Sequence, residues 1–300
     1  MSKIVNLLLR LRLIYILLTV IAVFTASAQS KLGVTITNPG DIHLCIESDF
    51  ITIEVRNISA STVTGIETKV VLPSGMTYVT GSVTGSGVTE KDTSNLSQPI
   101  FNVSNLSITQ YRELKIKVRT ACSISSFLNS GGLAIIRTTT AYSGGSVSAN
   151  GNVLNIKQAS LVVQSITNQL KVAYKYEKFE RQIAVKNTGS GKLTSLTFSR
   201  TYNTGQLLFF TSGGSTSTTG TTTTSILDTA DFKTIGNNDI YLDLNETYIF
   251  TDSIQVVACS NFNVTYGLSW GCYGSSCQTT SAAANTTLST IVPSLTITPT

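Results

Sequence analysis

Cysteine is the residue type in this chain whose spacing most constrains its chemistry, and five cysteines occur among the 300 residues. Cys45 lies just before a predicted strand at 51–55, and Cys122 lies just after another at 114–119. They flank one predicted domain and are its only cysteines, so we expect a Cys45–Cys122 disulfide. In the chain-entropy model, closing so long a loop contributes on the order of 4 kcal/mol.

The other three cysteines lie towards the C-terminal end. Cys272 and Cys277 bracket a turn-like spacer, 273–276, so we favour a disulfide between them. Cys259 is then left unpaired or pairs beyond the end of this chain. The alternative is a C-x4-C metal knuckle, which we disfavour because the single histidine, His43, is far away in the sequence. We therefore predict no metal ligands and no cofactor.

Catalytic arrangements find little support in the sequence. A nucleophile–histidine–acid arrangement has to use His43, which lies among apolar neighbours in the segment 41–45 and fits an ordinary structural or surface role. The densest acidic residues lie at 228–243. A calcium site at 236–239 with Asp243 is conceivable, but the segment lacks the order of an EF-hand loop, and we favour a plain Asn/Gly turn. We predict no catalytic residues and no enzymatic activity.

One group of aromatic residues has the composition of a sugar-stacking platform. Tyr266, Trp270 and Tyr273 lie close together in the sequence, and aromatic faces bind sugars by stacking. The alternative, which we favour, is a core tryptophan beside a disulfide. We retain the platform as a candidate sugar site.

The composition indicates β-structure and a weakly charged surface. Charged residues make up only 12 %, and serine, threonine, glycine, asparagine, valine and isoleucine dominate. The formal net charge of +5 includes Lys3, Arg10 and Arg12, which lie in a predicted signal peptide without acids. No cluster of basic residues remains elsewhere, so we predict no nucleic-acid partner.

Residues 1–28 are typical of a secretory signal peptide. The basic residues are followed by an apolar core at 13–24 and by Ala26-Ser27-Ala28, which suits a signal peptidase. The alternative is a membrane anchor, but the apolar run is shorter than the roughly 20 residues that span a bilayer. We predict an exported chain without a transmembrane span in its mature part.

The rest of the chain alternates apolar and polar residues in short runs, and one run is repeated. The segment 50–80 begins with alternating apolar residues, as in a half-buried strand. Five of its positions match residues 130 positions later: Ile53, Val55, Asn57, Val63 and Ile66 match Ile183, Val185, Asn187, Leu193 and Leu196. We predict an all-β fold of tandem antiparallel Ig-like β-sandwiches at 29–158 and 159–292. Residues 293–300 resemble the first strand of a third repeat, which predicts a longer protein.

Two segments resemble known bacterial proteins. The V-R-N of residues 55–57 and the L-P-S-G-M-T-Y-V of residues 72–79 resemble the Ig-like "conserved repeat" domain of bacterial surface proteins. The segment 269–278 is similar to segments of large Bacteroidota exported proteins, many of which end in a gliding-motility-associated or type IX sorting domain. The second repeat departs from the family pattern, because residues 200–205 replace the L-P-x-G turn.

This resemblance implies repeated sandwiches at the cell surface or outside the cell, with no catalytic residues to carry over. The function predicted is a non-catalytic cell-surface or secreted repeat protein that acts as a structural spacer or an adhesin. Its partners would be surface glycans or other envelope proteins. The alternative is an accessory or carbohydrate-binding region of a larger exported enzyme.

Overall fold

The structure is a computed structural model that describes residues 30–167, 172–202, 207–212, 215–235, 237–258, 262–272 and 275–291. The predicted signal peptide (1–28) and the predicted start of a third repeat (293–300) lie outside the described residues, so both stay predictions. No helix among the described residues is long and apolar enough to cross a membrane.

Short strands dominate the first half of the described chain, which we call the first sandwich. Its elements in chain order are β1 (Leu32–Thr37), β2 (Asp41–His43), β3 (Ile51–Asn57), β4 (Ile66–Val71), β5 (Met76–Tyr78), β6 (Val88–Asp92), β7 (Ile100–Val103), β8 (Tyr111–Ile116), β9 (Val118–Thr120), α1 (Ser123–Asn129), β10 (Ile135–Tyr142), β11 (Gly145–Val153) and β12 (Asn155–Lys157).

The second half, which we call the second sandwich, is built in the same way. Its elements are β13 (Leu161–Ile166), β14 (Val172–Tyr174), β15 (Lys178–Asn187), β16 (Leu196–Thr201), β17 (Leu207–Ser212), β18 (Ser215–Thr219), β19 (Thr222–Leu227), α2 (Thr229–Phe232), β20 (Thr247–Val256), β21 (Phe262–Cys272) and β22 (Ser275–Ile291).

Each sandwich has a smaller and a larger sheet. In the first, the strand orders are β1-β3-β8 and β11-β10-β4-β7-β6; in the second, they are β13-β15-β20-β17 and β14-β22-β21-β16-β19-β18. The strands of these sheets pair antiparallel except β14, which runs parallel to β22, and the separate pair β2–β12 is also parallel. Within the described ranges, no sheet mixes strands of the two sandwiches. The predicted all-β class with antiparallel sheets is confirmed.

Alternation of apolar and polar residues explains why these segments form strands. In β3, Ile51, Ile53 and Val55 are fully buried while the residues between them are partly or fully exposed. In β8, Leu114 and Ile116 are fully buried in the same way. Side chains of a strand point alternately to its two faces, so one face of each strand packs into the core.

The repeat predicted from the sequence is visible as a repeated hydrogen-bond pattern. The Asn57 side chain at the end of β3 donates to the carbonyls of Ser61 and Leu106. In the second sandwich, Asn187 at the end of β15 donates to the carbonyls of Gly191 and Leu242. Both asparagines are buried, and each amide joins the loop that follows its strand to a second loop.

Candidate functional site

Four cysteines meet where the two sandwiches join, a region that we call the junction. Cys45 follows β2, and Cys122 directly precedes α1; both belong to the first sandwich. Cys272 ends β21 and Cys277 lies near the start of β22, both in the second sandwich. The four Sγ atoms lie within 4.8 Å of one another, and all four residues are partly buried. We call this group the cysteine cluster.

The disulfides of the cluster cross the junction. Cys45 is bonded to Cys272 and Cys122 to Cys277, with Cα–Cα distances of 5.4 and 4.7 Å. The structure therefore corrects the expected pairings Cys45–Cys122 and Cys272–Cys277, although the same four cysteines are involved. Cys259, predicted to be left over, lies outside the described residues.

Strand register does not pair the two cysteines of the hairpin with each other. In the β21–β22 hairpin, Cys272 is paired with Ser275, so Cys277 lies two residues further along β22 and not opposite Cys272. Cys45 is brought to the same place by its backbone N–H, which donates to the carbonyl of Thr120. The hairpin end of the second sandwich thus docks against two loops of the first.

The single histidine contributes to the junction rather than to an acid–base pair. The backbone N–H of Lys192, in the second sandwich, donates to Nδ1 of His43 at 3.2 Å. Burial lowers the pKa of His43, and the nearby charge of Lys192 lowers it further. Both effects favour the neutral imidazole, which is the form that can accept this hydrogen bond.

The acidic residues considered for calcium surround a lysine. The Lys192 ammonium lies 3.2 Å from a carboxylate oxygen of Asp243 and 3.8 Å from one of Asp239. The side-chain amide of Asn237 donates to the same two carboxylates. A protein cation therefore already occupies the position where these carboxylates converge, which agrees with the structural turn favoured from the sequence.

Gln278 connects the cluster to the segment between the sandwiches. Its side-chain oxygen accepts hydrogen bonds from the backbone N–H of Leu161 and from the indole N–H of Trp270, at 3.1 and 3.0 Å. A Cβ atom on Gly189 would lie 2.3 Å from the backbone nitrogen of Ser160, so the loop after β15 packs directly on this segment. Sequence reasoning did not find Gln278, because nothing in its neighbourhood distinguishes it from a surface residue.

The candidate sugar platform is not on the surface. Tyr266 is fully buried and Trp270 is 3 % exposed, so neither ring offers a face on which a sugar can stack. Tyr273 lies outside the described residues. The structure thus corrects the platform hypothesis for Tyr266 and Trp270 and agrees with the alternative of a core tryptophan beside a disulfide.

The second sandwich also contains a buried ionic cluster that the sequence did not reveal. The Arg200 guanidinium makes two contacts of 2.6 Å with the Asp252 carboxylate, and it donates to the hydroxyl of Ser225. Arg181 donates to the hydroxyl of Tyr266 at 2.7 Å. Burial raises the pKa of Asp252, and hydrogen bonding to Arg200 opposes this effect. All five side chains are fully buried.

A signal for this cluster exists in the strand pattern. Arg181 is in phase with the inward residues Ile183 and Val185 of β15, and Arg200 is in phase with Leu196 and Phe198 of β16. An arginine at an inward position requires a buried partner, because an unpaired buried charge is strongly unfavourable. The strand pattern therefore indicates that a buried anion is needed, although it does not identify Asp252.

The sequence matches no family model and no curated protein. Among solved structures, the C-terminal domain of the Streptococcus agalactiae AgI/II polypeptide BspA is similar at 7 % identity and a TM-score of 0.39, covering 82 % of this chain and 96 % of that one. The C-terminal domain of the Streptococcus pyogenes antigen I/II-family protein AspA gives 7 % identity, a TM-score of 0.32 and the same coverages. Red sea bream transglutaminase is similar at 9 % identity and a TM-score of 0.28, covering 88 % of this chain and 32 % of that one. These values do not assign the chain to a family.

Proposed function

We propose that this protein is a non-catalytic, exported surface module that carries mechanical load, as a spacer or as the stalk of an adhesin. The observation that carries the proposal is the Cys45–Cys272 disulfide, which joins residues 227 positions apart. It connects the loop after β2 of the first sandwich directly to the end of β21 in the second.

This disulfide provides a covalent path around both cores. Tension that enters before Cys45 and leaves after Cys272 passes through the bridge, so it does not act on the strands between them. Without either bridge, those residues could extend by roughly 750–820 Å, at about 3.3–3.6 Å per residue. The bridge therefore shields residues 46–271 from tension even where their hydrogen bonds are weak.

The other contacts at the junction oppose bending. Cys122–Cys277 is a second covalent connection between the same two sandwiches. The hydrogen bond from Lys192 to His43 and the one from Leu161 to Gln278 add polar contacts around it. Two covalent connections restrain a pivoting motion that one would permit, so a fixed orientation of the sandwiches is the expected consequence.

The chemistry of the bridges is consistent with export. Disulfides persist in oxidising compartments such as the periplasm and the cell surface. The signal-peptide pattern at 1–28 and the resemblance to surface-protein repeats support the same location. The proposal includes a cell-surface setting in Bacteroidota with type IX secretion. It also includes envelope proteins or surface glycans as partners.

Single-molecule force spectroscopy tests the load path. The mature chain is held by tags at its two ends and stretched with its disulfides intact and after reduction. We expect no unfolding steps from residues 46–271 in the oxidised protein, and steps that sum to roughly 750–820 Å after reduction. Long unfolding steps in the oxidised protein would refute the proposed load path.

A double substitution provides a matched control. Cys45→Ser with Cys272→Ser removes the first bridge and leaves Cys122–Cys277, so tension then acts on the part of the first sandwich between residues 45 and 122. We expect a gain of roughly 250 Å over the oxidised protein, from about 75 residues at about 3.4 Å each. Cys122→Ser with Cys277→Ser should leave the oxidised chain as inextensible as before.

A further inference from the structure

We propose that the cysteine cluster is also a metal site: when both disulfides are reduced, its four thiolates bind one zinc-class divalent ion and hold the junction together. This inference extends the function proposed above and concerns the reduced protein, whereas the load path concerns the oxidised one. It is carried by the positions of the four sulfur atoms.

The sulfur atoms already lie close to the arrangement that a tetrahedral ion requires. Besides the two bonds, the Sγ atoms of Cys45 and Cys277 are 3.4 Å apart, and those of Cys122 and Cys272 are 3.8 Å apart. A zinc ion with four Zn–S bonds of about 2.3 Å has its sulfurs about 3.8 Å apart. Breaking the two S–S bonds allows the bonded sulfurs to separate to the same distance by small side-chain rotations.

The origin of the ligands also fits a structural metal site. Cys272 and Cys277 are separated by four residues on a hairpin, which is within the spacing typical of paired zinc ligands. Cys45 and Cys122 come from two loops of the first sandwich that strand pairing holds next to each other. A site whose ligands are split equally between two sandwiches would connect them as the disulfides do.

The donor set selects the ion. Four thiolates favour soft or borderline ions such as Zn²⁺, Cd²⁺ and Co²⁺ over Ca²⁺ or Mg²⁺, which prefer oxygen ligands. A histidine is not needed for a four-thiolate site. The sequence separation between His43 and the cysteines is therefore no argument against a metal site once the fold brings four cysteines together.

Reduction followed by metal binding converts the two disulfides to a four-thiolate site. Each disulfide accepts two electrons and two protons from a dithiol reductant, which is itself oxidised to a disulfide. The four thiols then release four protons as one divalent ion binds, which gives a site with a net charge of −2. In the reverse reaction, two equivalents of a small-molecule disulfide accept four electrons from the thiolates and four protons from solvent and become dithiols. The ion is released and the two bridges are restored.

Cobalt binding tests the inference. The mature protein is reduced without oxygen by a water-soluble phosphine, which takes oxygen from water to become the phosphine oxide, and is titrated with Co²⁺. We expect one Co²⁺ per chain, with thiolate-to-cobalt charge-transfer bands and the visible bands of a tetrahedral ion, and displacement by one equivalent of Zn²⁺. The oxidised protein should give none of these signals.

Single substitutions identify the ligands. Cys272→Ser should weaken Co²⁺ binding by about tenfold or more, because one thiolate is lost. Cys259→Ser, which alters the cysteine outside the cluster, should leave the spectrum and stoichiometry unchanged.

Circular dichroism and Trp270 fluorescence report the fold in parallel. A tetrahedral spectrum supports the inference whether the reduced protein stays folded or refolds as Co²⁺ is added. The absence of a tetrahedral thiolate spectrum in the reduced protein would overturn it, and so would a spectrum unaffected by Cys272→Ser.

Discussion

The two sandwiches have different residue types at equivalent core positions: apolar residues in the first and charged residues in the second. In the first sandwich, Ile51 of β3 is paired with Ile116 of β8, and Val70 of β4 lies inward on the other sheet. All three side chains are fully buried. This part of the core is held by packing and by the removal of apolar surface from water.

The second sandwich has charges at these positions. Arg181 of β15 is paired with Asp252 of β20 at the position where the isoleucines face each other, and Arg200 of β16 replaces the valine. These side chains are also fully buried. The Asp252 carboxylate bonds Arg200 directly, and the charge of Arg181 also acts on it. Arg200 donates a further hydrogen bond to the hydroxyl of Ser225, and Arg181 donates one to the hydroxyl of Tyr266.

The comparison shows that the framework does not depend on the nature of these core residues. The repeated features lie elsewhere, above all in the asparagine that ends β3 and β15. Buried ion pairs are weak contributors to stability compared with apolar residues of the same volume, but they become costly when one partner is lost. The second sandwich should therefore be more sensitive to single core substitutions than the first.

The largest effect is expected for Asp252→Ala. It leaves the buried Arg200 guanidinium without the carboxylate that it contacts twice, so we expect a loss of about 3–5 kcal/mol in the free energy of unfolding. Urea unfolding followed by Trp270 fluorescence measures it, because the only tryptophan of the chain lies in the second sandwich. Ile116→Val at the equivalent position of the first sandwich is the control and should cost about 0.5–1.5 kcal/mol, measured by far-UV circular dichroism, which reports both sandwiches. Equal losses would remove the contrast between the two cores.

Converting the second core to the first tests the same contrast in the opposite direction. The combined variant Arg181→Ile, Arg200→Val, Asp252→Ile and Tyr266→Phe removes the buried charges together with the hydroxyl that Arg181 contacts. We expect the second sandwich to gain about 1–4 kcal/mol, as when buried ion pairs are replaced by well-packed apolar residues. Urea unfolding provides the measurement, and a large destabilisation would show that the ionic cluster is required for the fold.

Substitutions of the shared asparagines should affect both sandwiches alike. Asn57→Ala and Asn187→Ala each remove at least two hydrogen bonds that join neighbouring loops, so we expect a loss of about 1–3 kcal/mol in either case. Hydrogen exchange followed by mass spectrometry locates the effect, with faster exchange in β3 for the first variant and in β15 for the second. A loss confined to one sandwich would contradict the equivalence of the two loops.

The smallest effect is expected for an exposed ion pair. Lys115 and Glu113 of β8 are 2.8 Å apart, with side chains 41 and 42 % exposed. Exposed pairs contribute at most about 1 kcal/mol, so Glu113→Gln should change the stability of the first sandwich by less than that. Urea unfolding at low and high salt measures it. A loss as large as that of Asp252→Ala would mean that burial does not explain the sensitivity of the second core.

The architecture could be predicted from the sequence because its determinants are local. Alternation in β3 and β15, and the asparagine that ends each, are visible without a structure. The last strands are harder to align from the sequence, because β20 has Asp252 at the position where β8 has Ile116. An acidic residue at an inward position concealed the correspondence.

The site could be predicted only as a set of residues. The number of cysteines and the predicted export indicate these four as disulfide candidates. Their pairing depends on how the hairpin that carries Cys272 and Cys277 docks on loops about 150 or more residues earlier. No short-range pattern in the sequence indicates such a contact. The sequence therefore predicts disulfides within each sandwich, and this prediction is wrong.

Peptide mapping without reduction tests most directly whether the bridges cross the junction. Trypsin should cut the chain so that Cys45 lies in peptide 32–56, Cys122 in peptide 120–137, and Cys272 and Cys277 together in peptide 234–300, which contains no internal lysine or arginine. We predict one disulfide-linked species that contains all three peptides. A linked pair of 32–56 with 120–137, together with a separate peptide 234–300, would show that each sandwich closes its own disulfide and would contradict the proposed load path.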